Sequence, residues 1–236
     1  MDHDFQSSLS SVLRIFPCIE NDVAGKVVVD YGCGRGGLSL DLAKIAQIVY
    51  AVDIRPELNA LSGRSNIITG LPEIVPSSSV DALISLNAFE HYSEPKKILL
   101  HWRRILKPDG RVYLSFGPPW YHPYGAHVQF ITRLPWIHLW CPERVVMAWR
   151  SFYKKDGARR YEEVEGGLNR MSIRKCDQLL AEAGFRTISS RNISIKGIDW
   201  PLRFVVGREL WTSNVERILC PDKKLLEAEE IRPARA

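Results

Sequence analysis

The chain has 236 residues, 45% of them hydrophobic and 25% charged, which excludes a disordered or low-complexity polypeptide. That length allows one large domain or two small ones. The net charge of +5 is mild for a dedicated nucleic-acid binder, so no nucleic-acid partner is expected.

Residues 1–24 hold an amphipathic piece from Leu9 to Ile19, interrupted by Pro17, which reads as a lead-in helix capping the domain. The first predicted strand, Lys26 to Asp30, contains three consecutive valines and asks for burial on both faces. Four glycines follow within six residues, Gly32, Gly34, Gly36 and Gly37. They permit positive φ and close approach of the backbone to a ligand. Gly32, Gly34 and Gly37 fit G-x-G-x-x-G, whereas Gly32, Gly34 and Gly36 fit G-x-G-x-G, so spacing alone leaves the ligand open. A helix from about Gly37 to Ala46 is expected next, its N-terminus facing that ligand. The second strand, Ile48 to Asp53, ends in a carboxylate 21 residues after Gly32. An acid there is placed to accept hydrogen bonds from ribose hydroxyls.

A weak helix is expected over 57–65, a brief third strand over 66–70, a polar loop from Pro72 to Ser79 and a fourth strand over 80–86. Pro95 opens a helix in which Ile98, Leu99, Trp102, Ile105 and Leu106 recur with helical period. Lys107-Pro108-Asp109-Gly110 reads as a turn before a fifth strand, Arg111 to Phe116. Strand and helix alternate with short links, which predicts an open, mostly parallel sheet with helices on both faces. Ligands of such sheets bind beyond the carboxyl ends of the strands.

Residues 117–171 break the alternation with five prolines and ten tryptophans, tyrosines and phenylalanines. The segment is too long and apolar for a linker, and it reads as a substrate-binding insertion with short helices near 133–140 and 142–153. Dimerisation or packing is the alternative role. Alternation then resumes: Ser172 as N-cap, a helix with apolar Ile173, Cys176, Leu179, Leu180 and Ala183, Gly184 at its end, a strand over 185–193 and a last strand over 214–219. The charged tail, 222–236, reads as flexible. Five scattered cysteines without a C-x-x-C pair suggest reduced thiols in a cytoplasmic protein. No apolar run approaches the ~20 residues of a membrane span, so no membrane partner is expected.

Four features stand in fixed order: Asp30-Tyr-Gly32-Cys-Gly34-Arg-Gly36; Asp53; the stretch from Ser79 through Asn87 to Glu90-His91; and Leu106-Lys-Pro-Asp-Gly110-Arg111. Together they resemble the class I S-adenosylmethionine-dependent methyltransferases, particularly the small-molecule type with Glu-His after the fourth strand. The resemblance is specific over roughly residues 25–116 and weaker over 172–220. It implies a Rossmann-like α/β fold, a doubly wound, mostly parallel seven-stranded sheet with an antiparallel last strand. The binding domain would comprise 25–116 and 172–221, with 117–171 as the insertion. It also implies S-adenosyl-L-methionine as cofactor. On the family pattern, Asp30 and the backbone of Gly32, Cys33, Gly34 and Gly36 hold the methionine part, with Asp30 as counter-charge to its ammonium. Asp53 takes the ribose, Ile54 packs on adenine and Asn87 lines the pocket near the reacting methyl. Many relatives place an Asp in the loop after the third strand to bind adenine. This chain has Thr69-Gly70-Leu71-Pro72-Glu73 there, which shifts the contact to the backbone of Gly70 and Leu71.

The implied reaction is a metal-free methyl transfer to a small-molecule acceptor by a monomer or homodimer. For a hydroxyl acceptor, a natural product or a sugar, the candidate bases are His91, His122 and His127, with His127 favoured from its place after the fifth strand. Transfer to an amine, a nucleic-acid methyltransferase, and a non-catalytic nucleoside-binding scaffold are the alternatives. A dehydrogenase is disfavoured by Asp30.

Overall fold

A computed structural model describes residues 8–54, 61, 64–164, 166–195 and 207–222. The helix expected over 57–65 lies mostly outside these residues, and the tail after 222 lies wholly outside. Seven strands form one sheet in the order β3-β2-β1-β4-β5-β7-β6. They are β1 (Val27–Tyr31), β2 (Ile48–Val52), β3 (Ile67–Gly70), β4 (Val80–Leu86), β5 (Leu106–Phe116), β6 (Phe185–Ser194) and β7 (Thr212–Pro221). Strands β1 to β5 pair in parallel, while β7 lies antiparallel between β5 and β6.

The valine run sits at the centre. Successive strand side chains point to opposite faces, so Val28 packs into one apolar layer and Val29 into the other. Val28 meets helices α1 (Leu9–Ile15), α2 (Glu20–Val23) and α3 (Gly37–Leu42). Val29 meets α4 (Pro95–Ile105) and α7 (Ile173–Glu182). Pro17 falls in the turn that separates α1 from α2. Helix α3 has six residues, shorter than the expected run to Ala46; the chain turns from Ala43 before entering β2.

Strand β5 starts earlier than expected. Val80 pairs with Leu106 and Ala82 with Arg111, so the Lys107–Gly110 turn bulges out of a continuous strand. The Ser172 hydroxyl accepts from the Lys175 N–H at 3.1 Å and caps α7. Glu209, on a short helix at Arg208–Trp211, accepts from the next two free N–H groups, Ile173 and Arg174.

Between β5 and α7 the chain forms α5 (Ile137–Trp140), α6 (Glu143–Arg150) and a 3-10 turn at Tyr161–Glu163. These pack around a small apolar cluster of their own, centred on Val128, Ile137, Val146, Met147 and Tyr161. The end of the segment is bonded to the tip of β4: Asn169 donates its backbone N–H to the Glu90 carbonyl and its amide to those of Phe89 and Tyr92.

Candidate functional site

Strand order reverses between β1 and β4, and the crevice beyond their carboxyl ends is where such sheets bind ligands. The glycine turn occupies that place. Gly32, Gly34 and Gly36 all have positive φ, which side chains with a Cβ rarely adopt. A Cβ on Gly32 would lie 2.7 Å from that of Ala88, so the turn rests directly on the chain leaving β4. A Cβ on Gly34 would meet nothing within 4 Å: the turn is open on that side. Beneath it, the Tyr92 hydroxyl accepts from Ser85 at 3.0 Å and donates to the Tyr31 carbonyl at 3.2 Å. The Tyr31, Phe89, Tyr92 and Trp102 rings pack edge to face or tilted around it.

Two carboxylates flank the turn. Asp53 accepts from the Gly34 N–H at 2.7 Å, which ties the end of β2 to the loop. Asp30 is buried and accepts from the Ser39 hydroxyl at 2.6 Å. Burial pushes its pKa up to about 7; the Ser39 hydroxyl opposes the rise and Asp53 adds to it. The charge acting on Asp30 is thus another anion. Burial, with Asp30 and Asp53 nearby, pushes the Cys33 thiol up as well, so it stays protonated.

Ile54, 84% exposed, and Leu71, 55% exposed, stand just past the ends of β2 and β3. They offer bare apolar surface to a flat ring. The Gly70 carbonyl accepts from the Asp53 N–H at 3.4 Å, holding these two ends together. Asn87 is exposed at the tip of β4 with φ of 50°.

The histidines divide. His91 and His127 meet edge to face with ring centroids 5.7 Å apart. They line one side of a pocket of about 180 Å³, whose other walls include Val128, Phe130, Arg150, Lys154 and Tyr161. His91 Nδ1 lies 2.6 Å from the Gly167 carbonyl; a carbonyl only accepts, so Nδ1 carries the proton and Nε2 presents a lone pair when the ring is neutral. The buried Nε2 of His127 has no protein partner. Burial first, then the neighbouring histidines, lower its pKa to about 4, so it is neutral at pH 7. His122 stands apart from the pocket walls. Its Nδ1 accepts from the Tyr124 N–H at 3.1 Å, closing a local turn, and burial lowers its pKa to about 4.

Several groups escaped the sequence reading. Ser39 carries no motif and meets Asp30 only because α3 folds back over β1. Asn169 lies 77 residues beyond its Tyr92 partner. Glu90 is buried beside His91 and accepts from the Gly117 N–H at 3.2 Å, with burial raising its pKa. The Glu-His pair was the available signal for Glu90. His138 donates Nε2–H to the Trp120 carbonyl at 2.7 Å, leaving Nδ1 buried and without a partner.

A seven-stranded sheet with β7 reversed, a glycine turn at its switch point and acids ending β1 and β2 define a Rossmann-like domain of the class I S-adenosylmethionine-dependent methyltransferases. Residues 29–114 match the family model of a methyltransferase domain, and this part of the chain belongs to that family. The chain is 30% identical over 105 residues to a ubiquinone biosynthesis O-methyltransferase of Xanthomonas oryzae, a match covering 40% of this chain and 44% of that protein. It is 32% identical over 108 residues to the mitochondrial ubiquinone biosynthesis O-methyltransferase of Schizosaccharomyces pombe, covering 40% and 39%. The chain thus spans less than half the length of these relatives. Among solved structures, an S-adenosylmethionine-dependent methyltransferase from Mesorhizobium loti shares the fold with a TM-score of 0.59 at 16% identity, over 89% of this chain and 96% of that one.

The residues present fit S-adenosylmethionine. Asp30 is a carboxylate whose pKa burial raises to about 7, with Asp53 adding to the rise, and an ammonium would supply the opposite charge. The space at Gly34 admits a ligand against bare backbone, and Asp53 is already oriented at the rim.

Proposed function

We propose that this chain is a methyltransferase that uses S-adenosylmethionine to methylate a hydroxyl of a small, ring-bearing molecule. One observation carries the acceptor half of this reading: His91 and His127 meet edge to face on the wall of one pocket, His91 with its Nδ1 committed to the Gly167 carbonyl. The names of the two O-methyltransferase relatives support a hydroxyl acceptor.

The bound donor supplies an activated sulfonium methyl. Asp30 and the turn from Gly32 to Gly36, with Cys33 contributing backbone, hold its amino-acid end, and Asp53 its ribose. Ile54, Leu71 and the Gly70 backbone border the base, and Asn87 stands where donor and acceptor meet. Such alignment and exclusion of water account for much of the rate in a displacement at an already activated carbon.

His127, on the pocket wall, takes the acceptor's proton. Its lowered pKa keeps it neutral, hence able to accept, throughout the physiological range. A weak base of this kind matches an acidic hydroxyl, such as a phenol, better than a sugar alcohol. His91, with its tautomer fixed by Gly167, forms the adjoining wall. A cavity of about 150 Å³ accommodates benzene, so about 180 Å³ suits a single substituted ring. His122, occupied in its local turn, has a supporting place only.

The test is a screen of single-ring phenols with methyl-labelled donor, followed by His127→Ala at saturating donor. A general base contributes roughly 10²- to 10⁴-fold, so kcat should fall at least about a hundredfold. Turnover near wild type would remove His127 from the mechanism, and labelled amines in place of ethers would overturn the hydroxyl assignment.

A further inference from the structure

Helix α6 is apolar on two sides. Val146 and Met147 face the small core of the insertion. On the outer side, Val145 and Trp149 lie four residues apart, and Phe152 follows in the turn after the helix; all three are exposed, Phe152 76% and Val145 47%. The exposed run continues through Tyr153, 56% exposed, whose ring meets the exposed Phe130 edge to face at 6.3 Å. Contiguous exposed apolar surface of this kind marks an interaction site.

Its surroundings say what kind. Residues 130–160 contain seven Lys or Arg and two Asp or Glu, a net +5, which equals the net charge of the whole chain. One acid, Asp156, is bidentate to the buried Arg150, and the other, Glu143, pairs with Arg170. Arg133, Arg144, Lys154, Lys155, Arg159 and Arg160 are exposed in the same segment, and the Lys154 ammonium lies 6.0 Å from the Phe130 ring centroid. Aromatic and aliphatic side chains ringed by cations are the composition of a helix that lies in the plane of a bilayer surface. A second copy of this chain would bring like charges together. A nucleic acid would satisfy the cations but leave aliphatic Val145 without a stacking partner.

We infer that this face of the insertion docks reversibly on an anionic lipid surface. Phe130 and Lys154 belong both to this face and to the wall of the pocket that holds His91 and His127, so docking presents that pocket to the interfacial layer. The absence of any long apolar run bears on spanning a membrane, whereas docking needs only this exposed face; a lipid surface is thus proposed where the sequence alone raises no expectation of one. The inference does not depend on the proposed reaction, because its test reads binding alone.

The test is flotation of the full chain with vesicles of phosphatidylcholine containing about 30% phosphatidylglycerol, against pure phosphatidylcholine, at about 0.1 and 0.5 M salt. Binding is expected on the anionic vesicles, at least about fivefold weaker on neutral ones and at high salt. The double variant Trp149→Ser/Phe152→Ser and the double variant Arg144→Glu/Lys155→Glu should each lose about tenfold or more at unchanged thermal melting. All four residues are exposed and lie outside the pocket walls. Wild-type protein that stays with the aqueous fraction overturns the inference. So does vesicle binding that neither variant weakens. A dimer in sedimentation that Trp149→Ser/Phe152→Ser dissociates, or retention on a single-stranded oligonucleotide, either without vesicle binding, assigns the face elsewhere and likewise overturns it.

Discussion

The donor crevice and the insertion are built by different means. The crevice is assembled from strand ends: its turn, its two acids and its floor are each fixed by the pairing of β1 with β2 and β4. The insertion has two short helices, a small core and a few long-range bonds to hold it against the β4 tip. A site made from a sheet tolerates little change in backbone, whereas one made from loops depends on individual tethers. Changes in the first region should therefore alter donor binding and stability together, and changes in the second should separate acceptor turnover from both.

The sharpest way to test that division is Asp30→Asn. Removing the counter-charge should weaken S-adenosylmethionine by at least about a hundredfold in calorimetry, in line with the cost of breaking a buried charge pair. The same variant should stabilise the free protein at alkaline pH. Asp30 titrates near 7 when folded, against an ordinary 3.8, so between those values the folded chain holds a proton that the unfolded chain has released. Stability from this group is complete below about 3.8 and lost as pH rises through 7. Thermal melts at pH 8 should show a gain on the order of 2–4 kcal/mol for Asp30→Asn, shrinking toward pH 4.

Glycine substitutions come next. Gly32→Ala combines a φ of 81° with an approach of 2.7 Å to Ala88, and should cost about 2–3 kcal/mol in denaturant unfolding as well as donor affinity. Gly34→Ala meets open space at a φ of 54°, so about 1 kcal/mol is expected, with donor affinity falling more than stability. Equal stability losses at the two positions would show that the turn does not rest on Ala88.

On the insertion side, Asn169→Ala removes two side-chain bonds to the Phe89 and Tyr92 carbonyls. It should raise the acceptor KM by about tenfold, roughly 1–2 kcal/mol, while the S-adenosylmethionine Kd stays within about twofold. A matching loss in donor affinity would join the two regions that the structure separates.

The smallest effect is in pH dependence. His122 and His127 titrate near 4 when folded against an ordinary 6.5, so the unfolded chain takes up protons first as pH falls from 6.5. Stability should decline between about pH 6.5 and 4, and His122→Gln should flatten part of that decline. Neither group should impose a kinetic limb between pH 6 and 8.

The same contrast explains what could be read in advance. Period-two and unbroken apolar runs located all seven strands, because a valine run such as Val27 to Val29 has few places to go except the centre of a sheet. The glycine turn, Asp30 and Asp53 were legible because their spacing along the chain follows from strand and helix lengths. Ser39, Asn169 and Gly167 were not, since each acts on a partner brought close only by tertiary packing. His127 and His122 look alike in sequence, five residues apart among aromatics. What distinguishes them is that one ring turns into the pocket wall and the other closes a local turn. The outward apolar face of α6 was hidden for a related reason: an apolar residue at helical spacing does not reveal which face a neighbour covers.

The glycine turn between Asp30 and Asp53 is proposed to seat S-adenosylmethionine. Calorimetry of the wild-type chain with S-adenosylmethionine, its demethylated product and NAD tests it most directly. Binding of the first two is expected at micromolar concentrations, on the order of 8 kcal/mol, with no heat from NAD. Preference for NAD, or binding of none of the three, would contradict it.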